Sequence, residues 1–225
     1  MQTLSTLHPA LWRGDALAVP ARPGISSGYA ELDAQLPGGG WPSGALTEIL
    51  PAAMGIGELR LLAPALARVS AQGRCLAWIA PPLEPYAPAL AAAGIDLTRL
   101  LIVRARHGQD TLWAVEQALR AHACGAVLAW AGRVRYAELR RLQLAAQEGE
   151  ALAWLFRAPA AAAEASPAPL RLKLALQDGM PAIDIFKRRG RPAVAPVFLP
   201  ALRHALDRPL SAPVAARRSR QPVCA

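Results

Sequence analysis

The stretch GALTEILPAAMGIGELRLLAPALARVSAQG (44–73) decides how this chain is organised. Ala45 to Leu50 reads as a short apolar strand, PAAMGIG as a loop of small residues, and the segment from about Gly57 to Ser70 as a helix. A strand, a Gly-containing loop and a helix in that order present backbone N–H groups at a helix N-terminus, where an anion is favoured. A standard phosphate-cradling loop also needs a Lys directly before the helix. The only lysines are Lys173 and Lys187, both far downstream in strand-like runs. No segment of the chain can therefore form that loop.

Downstream, apolar strands alternate with helices. RCLAWIAPP (74–82), LLIVRA (100–105), GAVLAWA (125–131) and ALAWLFRA (151–158) read as strands. LEPYAPALAAAG (83–94) is helical in its second half; Asp110 caps DTLWAVEQALRAHA, and YAELRRLQLAAQ (136–147) is a further helix. This alternation is the signature of an α/β fold with a mostly parallel sheet covered on both faces. The rhythm changes at APAAAAEASPAP (158–169), which reads as a flexible connection. RLKLALQD, AIDIFKRRG and AVAPVFL then alternate strictly, as an antiparallel extension of the sheet. Upstream, residues 1–23 read as an irregular arm, and Ser26 or Ser27 caps a short helix from about Tyr29 to Leu36. At the other end, 201–225 offers a short helix, ALRHALD, and a flexible basic tail.

Composition narrows the classes. Hydrophobic residues make up 53% and charged residues 18%, enough to bury a core and too apolar for global disorder. No apolar run reaches the length of a membrane span, and the first residues lack a secretory signal, so no membrane partner is expected. Cys75, Cys124 and Cys224 give neither a disulfide framework nor metal-ligand spacing, which points to a reducing cytoplasm. Residues 1–150 carry 13 Arg and 12 acidic groups, whereas 151–225 carry 12 basic and 4 acidic. A localised basic excess suits a polyanionic partner, although the Arg-rich, Asn-free composition would also place Arg on any solvated surface.

The order of these pieces resembles the core of the RecA family of recombinases. SSGYAELDAQLPGGGWPSGALTEIL (26–50) is similar to that family's entry motif through Leu32, Asp33, Gly44, Glu48 and Ile49. Residues 75–130 follow its next part in spacing, most clearly at Gly94-Ile95-Asp96 and Gly108-Gln109. LRLKLALQDGMPAIDIFKRRGRPAV (170–194) looks like its late strands. The resemblance covers about 24–200 and implies a three-layer RecA-like core with a degenerate phosphate loop. Gly57 takes the place of that loop's last glycine, Glu58 that of its lysine and Leu59 that of its hydroxyl residue. Gly55 and Gly57 could still face an anion. A carboxylate at 58, however, repels phosphate by on the order of 1 kcal/mol or more per charge pair, and Leu59 cannot ligate Mg²⁺. The metal-side acid falls at Trp130 or Ala131. The water-activating glutamate falls near Pro81-Pro82, with Glu84 the one nearby substitute. Phosphoryl transfer needs these parts, so the resemblance implies a pseudo-ATPase with no catalytic residue, cofactor or metal.

A shortened RecA-like chain with a KRRG turn and a basic tail resembles the ImuA family, accessory proteins of damage-induced translesion synthesis. The resemblance implies a scaffold docking on a Y-family polymerase-like partner, ImuB, and on an error-prone replicative-type polymerase, and leaves contact with RecA or DNA open. Two alternatives stand beside it: a SulA-like division inhibitor binding FtsZ, and a nucleotide-dependent RecA paralogue. Candidate partner or nucleic-acid contacts are Lys187, Arg188, Arg189 and Arg191 in the basic turn, Arg133, Arg135, Arg140 and Arg141 around one helix start, and Arg217, Arg218 and Arg220 in the tail. Each group has a plain alternative as solvated surface charge. Trp78, Trp113, Trp130 and Trp154 read as core, whereas Trp12 and Trp41, in irregular segments, read as candidate surface anchors.

Overall fold

The computed structural model describes residues 23–105, 108–190, 192–193 and 195–199. The arm at 1–22, the segment 201–225 and Arg191 lie outside these, and with them Trp12, Cys224, Arg217, Arg218 and Arg220.

The opening stretch folds as its pattern requires. β1 (Ala45–Pro51) is buried along its whole length, and α2 (Glu58–Ala71) buries Leu61, Leu62, Ala65, Leu66 and Val69 along one stripe. The remaining strands are β2 (Cys75–Ile79), β3 (Leu100–Val103), β4 (Cys124–Trp130), β5 (Leu152–Phe156), β6 (Leu170–Gln177), β7 (Met180–Lys187) and β8 (Val197–Phe198). Short helices α1 (Ala30–Asp33) and α3 (Ala87–Ala92) and longer ones α4 (Gly108–Arg120) and α5 (Tyr136–Gly149) complete the fold. The eight strands form one sheet in the order β3-β2-β4-β5-β1-β6-β7-β8. β1 to β6 run parallel, and β7 and β8 extend the sheet antiparallel. A mixed α/β architecture with a mostly parallel sheet is thus as the alternation predicted.

A hydrophobic layer covers each face. On one side Ile49, Trp78, Leu128, Trp154 and Leu172 pack against α1, α2 and α3. On the other Leu46, Ala77, Val127, Ala153 and Leu155 pack against α4 and α5. Helices α4 and α5 pack so closely that a Cβ at Gly149 would stand 1.6 Å from the Leu119 carbonyl oxygen, and only glycine fits there. The Gln143 side-chain oxygen accepts the Leu46 N–H at 2.9 Å, anchoring the start of β1 to α5. Among the described residues no helix is long and apolar enough to cross a membrane.

Several local expectations are corrected. The first helix spans only Ala30–Asp33, because Asp33 is drawn back onto the preceding turn: Ser26 Oγ donates to it at 2.6 Å and the Ser27 N–H at 2.7 Å. Burial opposes the Asp33 charge, but these bonds and nearby Arg68 hold its carboxyl below the usual range. Trp41 is not a surface anchor. It is 0% exposed, in edge contact with Trp154 at 5.7 Å. Trp113, expected in the core, is 64% exposed, since Leu112, Val115 and Leu119 already fill the inner face of α4. The connection 158–169 is not a loose linker: it holds a 3₁₀ turn at Pro159–Ala163 and is pinned to the sheet.

Candidate functional site

The loop between β1 and α2 keeps its backbone shape. Gly55 (φ +78°) and Gly57 (φ +109°) both take left-handed conformations, which glycine adopts without the strain of a side chain. Gly57 is the N-cap of α2, with no side-chain cap of its own. The Gly55 N–H donates to Glu58 Oε1 at 2.8 Å. Glu58 is 6% exposed, and its Oε2 is buried with no hydrogen-bond partner. The Glu58 carboxylate thus folds back onto the loop's own amide. A negative group in the first turn is favoured by the helix dipole. Leu59 packs against the core on the α2 side of the sheet.

Beside this loop, the C-terminal ends of β1, β2, β4 and β5 enclose an open cleft of about 480 Å³. Pro51, Met54, Ala80, Pro82, Trp130 and Phe156 are among its lining residues, with Trp130 and Phe156 stacked at 4.8 Å. Crevices at the carboxyl ends of parallel strands are where ligands bind in open α/β sheets. This one is mostly apolar. Glu84, the nearby acid, is exposed and ion-paired to Arg104. Among the described residues no three metal-ligating side chains come together.

A second polar cluster lies under the strap formed by 157–169. Glu48, in the middle of β1, is 0% exposed. Its Oε1 accepts Ser166 Oγ at 2.5 Å and its Oε2 accepts Arg171 Nε at 2.8 Å, with Arg157 Nη1 at 3.6 Å. Arg157 also donates to Glu164 at 2.6 Å, and Arg171 donates to the Glu164 and Ala161 carbonyls. The hydrogen bond and charge of Arg157 hold the Glu164 carboxyl below the usual range. Two arginines and a serine therefore tie the strap to one buried glutamate. None of Arg157, Arg171, Ser166 or Glu164 stood out in the sequence reading, and Glu48 did so only as part of a motif. A usable signal existed: a charged residue inside an apolar strand such as ALTEILP or LRLKL must find a partner when buried.

The basic turn is partly consumed by the fold. Lys187 donates to the Ser166 carbonyl at 2.6 Å, and burial, with Arg171 beside it, pushes its ammonium pKa down. Arg188 donates to the Gln35 carbonyl and to the Pro192 carbonyl. Arg189 is exposed. Around α5, Arg135 is bound to Glu138 in a capping box, and Arg141 pairs with Glu116 at 2.9 Å. Arg133 and Arg140 remain outward.

Fold and site together define an α/β protein with a mostly parallel sheet, whose β1–α2 loop carries two left-handed glycines and a carboxylate bonded to one of their amides. Residues 44–153 match the profile of the family described as "Cell division inhibitor SulA". "Protein ImuA" of Caulobacter vibrioides is 34% identical over 133 residues, 56% of this chain and 54% of that protein. "Cell division inhibitor SulA" of Edwardsiella piscicida is 32% identical over 97 residues, 43% of this chain and 58% of that protein. The chain thus spans little more than half the length of either relative. The crystal structure of SulA from Pseudomonas aeruginosa aligns with a TM-score of 0.42 at 30% identity, over 50% of this chain and 97% of that one. These likenesses support an ImuA/SulA-like family for the chain.

Proposed function

We propose that the chain is a non-enzymatic accessory protein of damage-induced translesion DNA synthesis. Its RecA-like core, 24–200, serves as a docking surface for a Y-family polymerase-like partner of the ImuB kind and for an error-prone replicative-type polymerase. The observation that carries this reading is the Glu58 carboxylate on the Gly55 amide. A fixed negative charge stands where phosphate would sit, so the architecture is kept without nucleotide chemistry. The likeness to ImuA gives that architecture its setting. Among the described residues, outward Arg133, Arg140 and Arg189 are basic groups available to partners or to DNA; Arg191, Arg217, Arg218 and Arg220, outside those residues, stay candidates from the sequence. The test is affinity capture of the tagged chain from DNA-damaged cells, with mass spectrometry of what it holds. Recovery of a Y-family polymerase or its error-prone companion supports the reading; its absence from folded, abundant bait overturns it.

A division inhibitor binding FtsZ is the second reading. It is favoured by the profile match over 44–153 and by Leu83, Tyr86, Leu97 and Leu101, exposed on or near edge strand β3. Filamentation on overexpression, with FtsZ as the captured partner, would put this reading first.

A further inference from the structure

Loop 52–57 has the construction of an anion nest: two left-handed glycines, the uncapped N-terminus of a 14-residue helix, and an amide aimed inward from Gly55. Such a nest is normally completed by an external oxyanion. Here Glu58 reaches back three residues and supplies one oxygen to the Gly55 N–H. Its second oxygen, shut off from solvent, finds no donor. A buried carboxylate half-satisfied in this way is held by a backbone amide of the loop leading into α2, which is how a bound anion would be held.

We propose that the N-terminus of α2 is an oxyanion site already occupied in cis by the Glu58 carboxylate, so that free phosphate is excluded from the native chain and admitted when that carboxylate is removed. A phosphate entering the native loop would meet a like charge within a few ångströms, which is repulsive even where, as at 52–55, the loop is exposed. Space is not the obstacle: a Cβ built at Gly55 or Gly57 meets nothing within 4 Å. The site is thus a phosphate nest by backbone and a closed one by side chain. The inference shares the Glu58 contact with the scaffold reading but not its partners, so a captured polymerase would leave it untouched, and its own failure would not remove that polymerase.

The experiment is a titration of inorganic phosphate into the full chain, following the Gly55 and Gly57 backbone amides by NMR, at constant ionic strength. The native chain should show no saturable shift. Glu58→Ala should show one confined to these amides, with affinity at least about tenfold above any native response. Glu58→Gln keeps an acceptor on the Gly55 N–H and should gain less than the alanine variant. Glu58→Ser, which is neutral and too short to reach Gly55 in the same way, supplies an open loop if the alanine variant does not fold. Equal phosphate binding by the native chain overturns the proposal, as does a folded open-loop variant whose Gly55 amide ignores phosphate.

Discussion

The loop after β1 and the strap after β5 both carry buried acids, but those acids are held in different ways. Glu58 is half-satisfied, and locally, by an amide three residues back in the loop that leads into its own helix. Glu48 is satisfied across the fold, by Ser166 and Arg171, residues 118 and 123 positions distant. The local contact can be altered with modest effect on the rest of the molecule. The distant one ties two neighbours of β1 and the strap between them, so its loss removes several interactions together. A charge bonded to its own loop shapes that loop, whereas a charge at the centre of a sheet organises the elements around it.

That contrast predicts a hierarchy. Glu48→Gln leaves Arg171 and Arg157 without their buried counter-charge and should cost about 3–5 kcal/mol in urea unfolding. A loss under about 1 kcal/mol would mean that the cluster is not a unit. Trp41→Ala removes a fully buried ring against Trp154 and should cost about 3–5 kcal/mol, whereas Trp113→Ala should stay within about 0.5 kcal/mol. Ser166→Ala deletes one hydrogen bond to a charged group but keeps the Arg171 pair, for about 1.5–3 kcal/mol. A cost equal to that of Glu48→Gln would place the whole cluster's strength in the serine.

Acid sharpens the comparison further. The folded-state pKa of Glu164 is depressed by Arg157, so its contribution is present above the ordinary glutamate value and fades as pH falls through the lower folded-state value. Hydrogen exchange in 159–166 should therefore accelerate in acid relative to 58–71, once both are corrected for intrinsic exchange rates, and Glu164→Gln should flatten that dependence. The smallest effect is expected from Arg189→Glu, which changes an exposed charge and should leave stability within about 0.5 kcal/mol. Capture of a partner tests its role, free of the structural consequences that follow from altering Lys187 or Arg188.

How much was legible follows the same division. Strands and helices whose signals are local, such as β1 through α2 and the inner stripe of α4, lie where apolar periodicity put them. Gly55, Gly57, Glu58 and Leu59 could be read together because they are close neighbours in sequence, and the two glycines take left-handed conformations. Trp41 was misread because its burial depends on Trp154, a tryptophan on another strand, and Trp113 because a helix has room for only one apolar stripe. The strap read as a linker from its Ala and Pro content, while the groups that fix it come from β1, β5 and β6 and from Lys187 at the end of β7. The basic turn read as a patch because neighbours in sequence were taken as neighbours in purpose. Two of its side chains instead bind backbone carbonyls.

The proposed scaffold role requires that the β1–α2 loop handle no nucleotide. That requirement is tested most directly by titrating Mg²⁺–ATP into the full native chain in a calorimeter. The account predicts no saturable binding tighter than about 1 mM, a free energy weaker than about −4 kcal/mol. A dissociation constant in the micromolar range, lost on mutation within 52–59, would contradict it and restore a nucleotide-dependent protein.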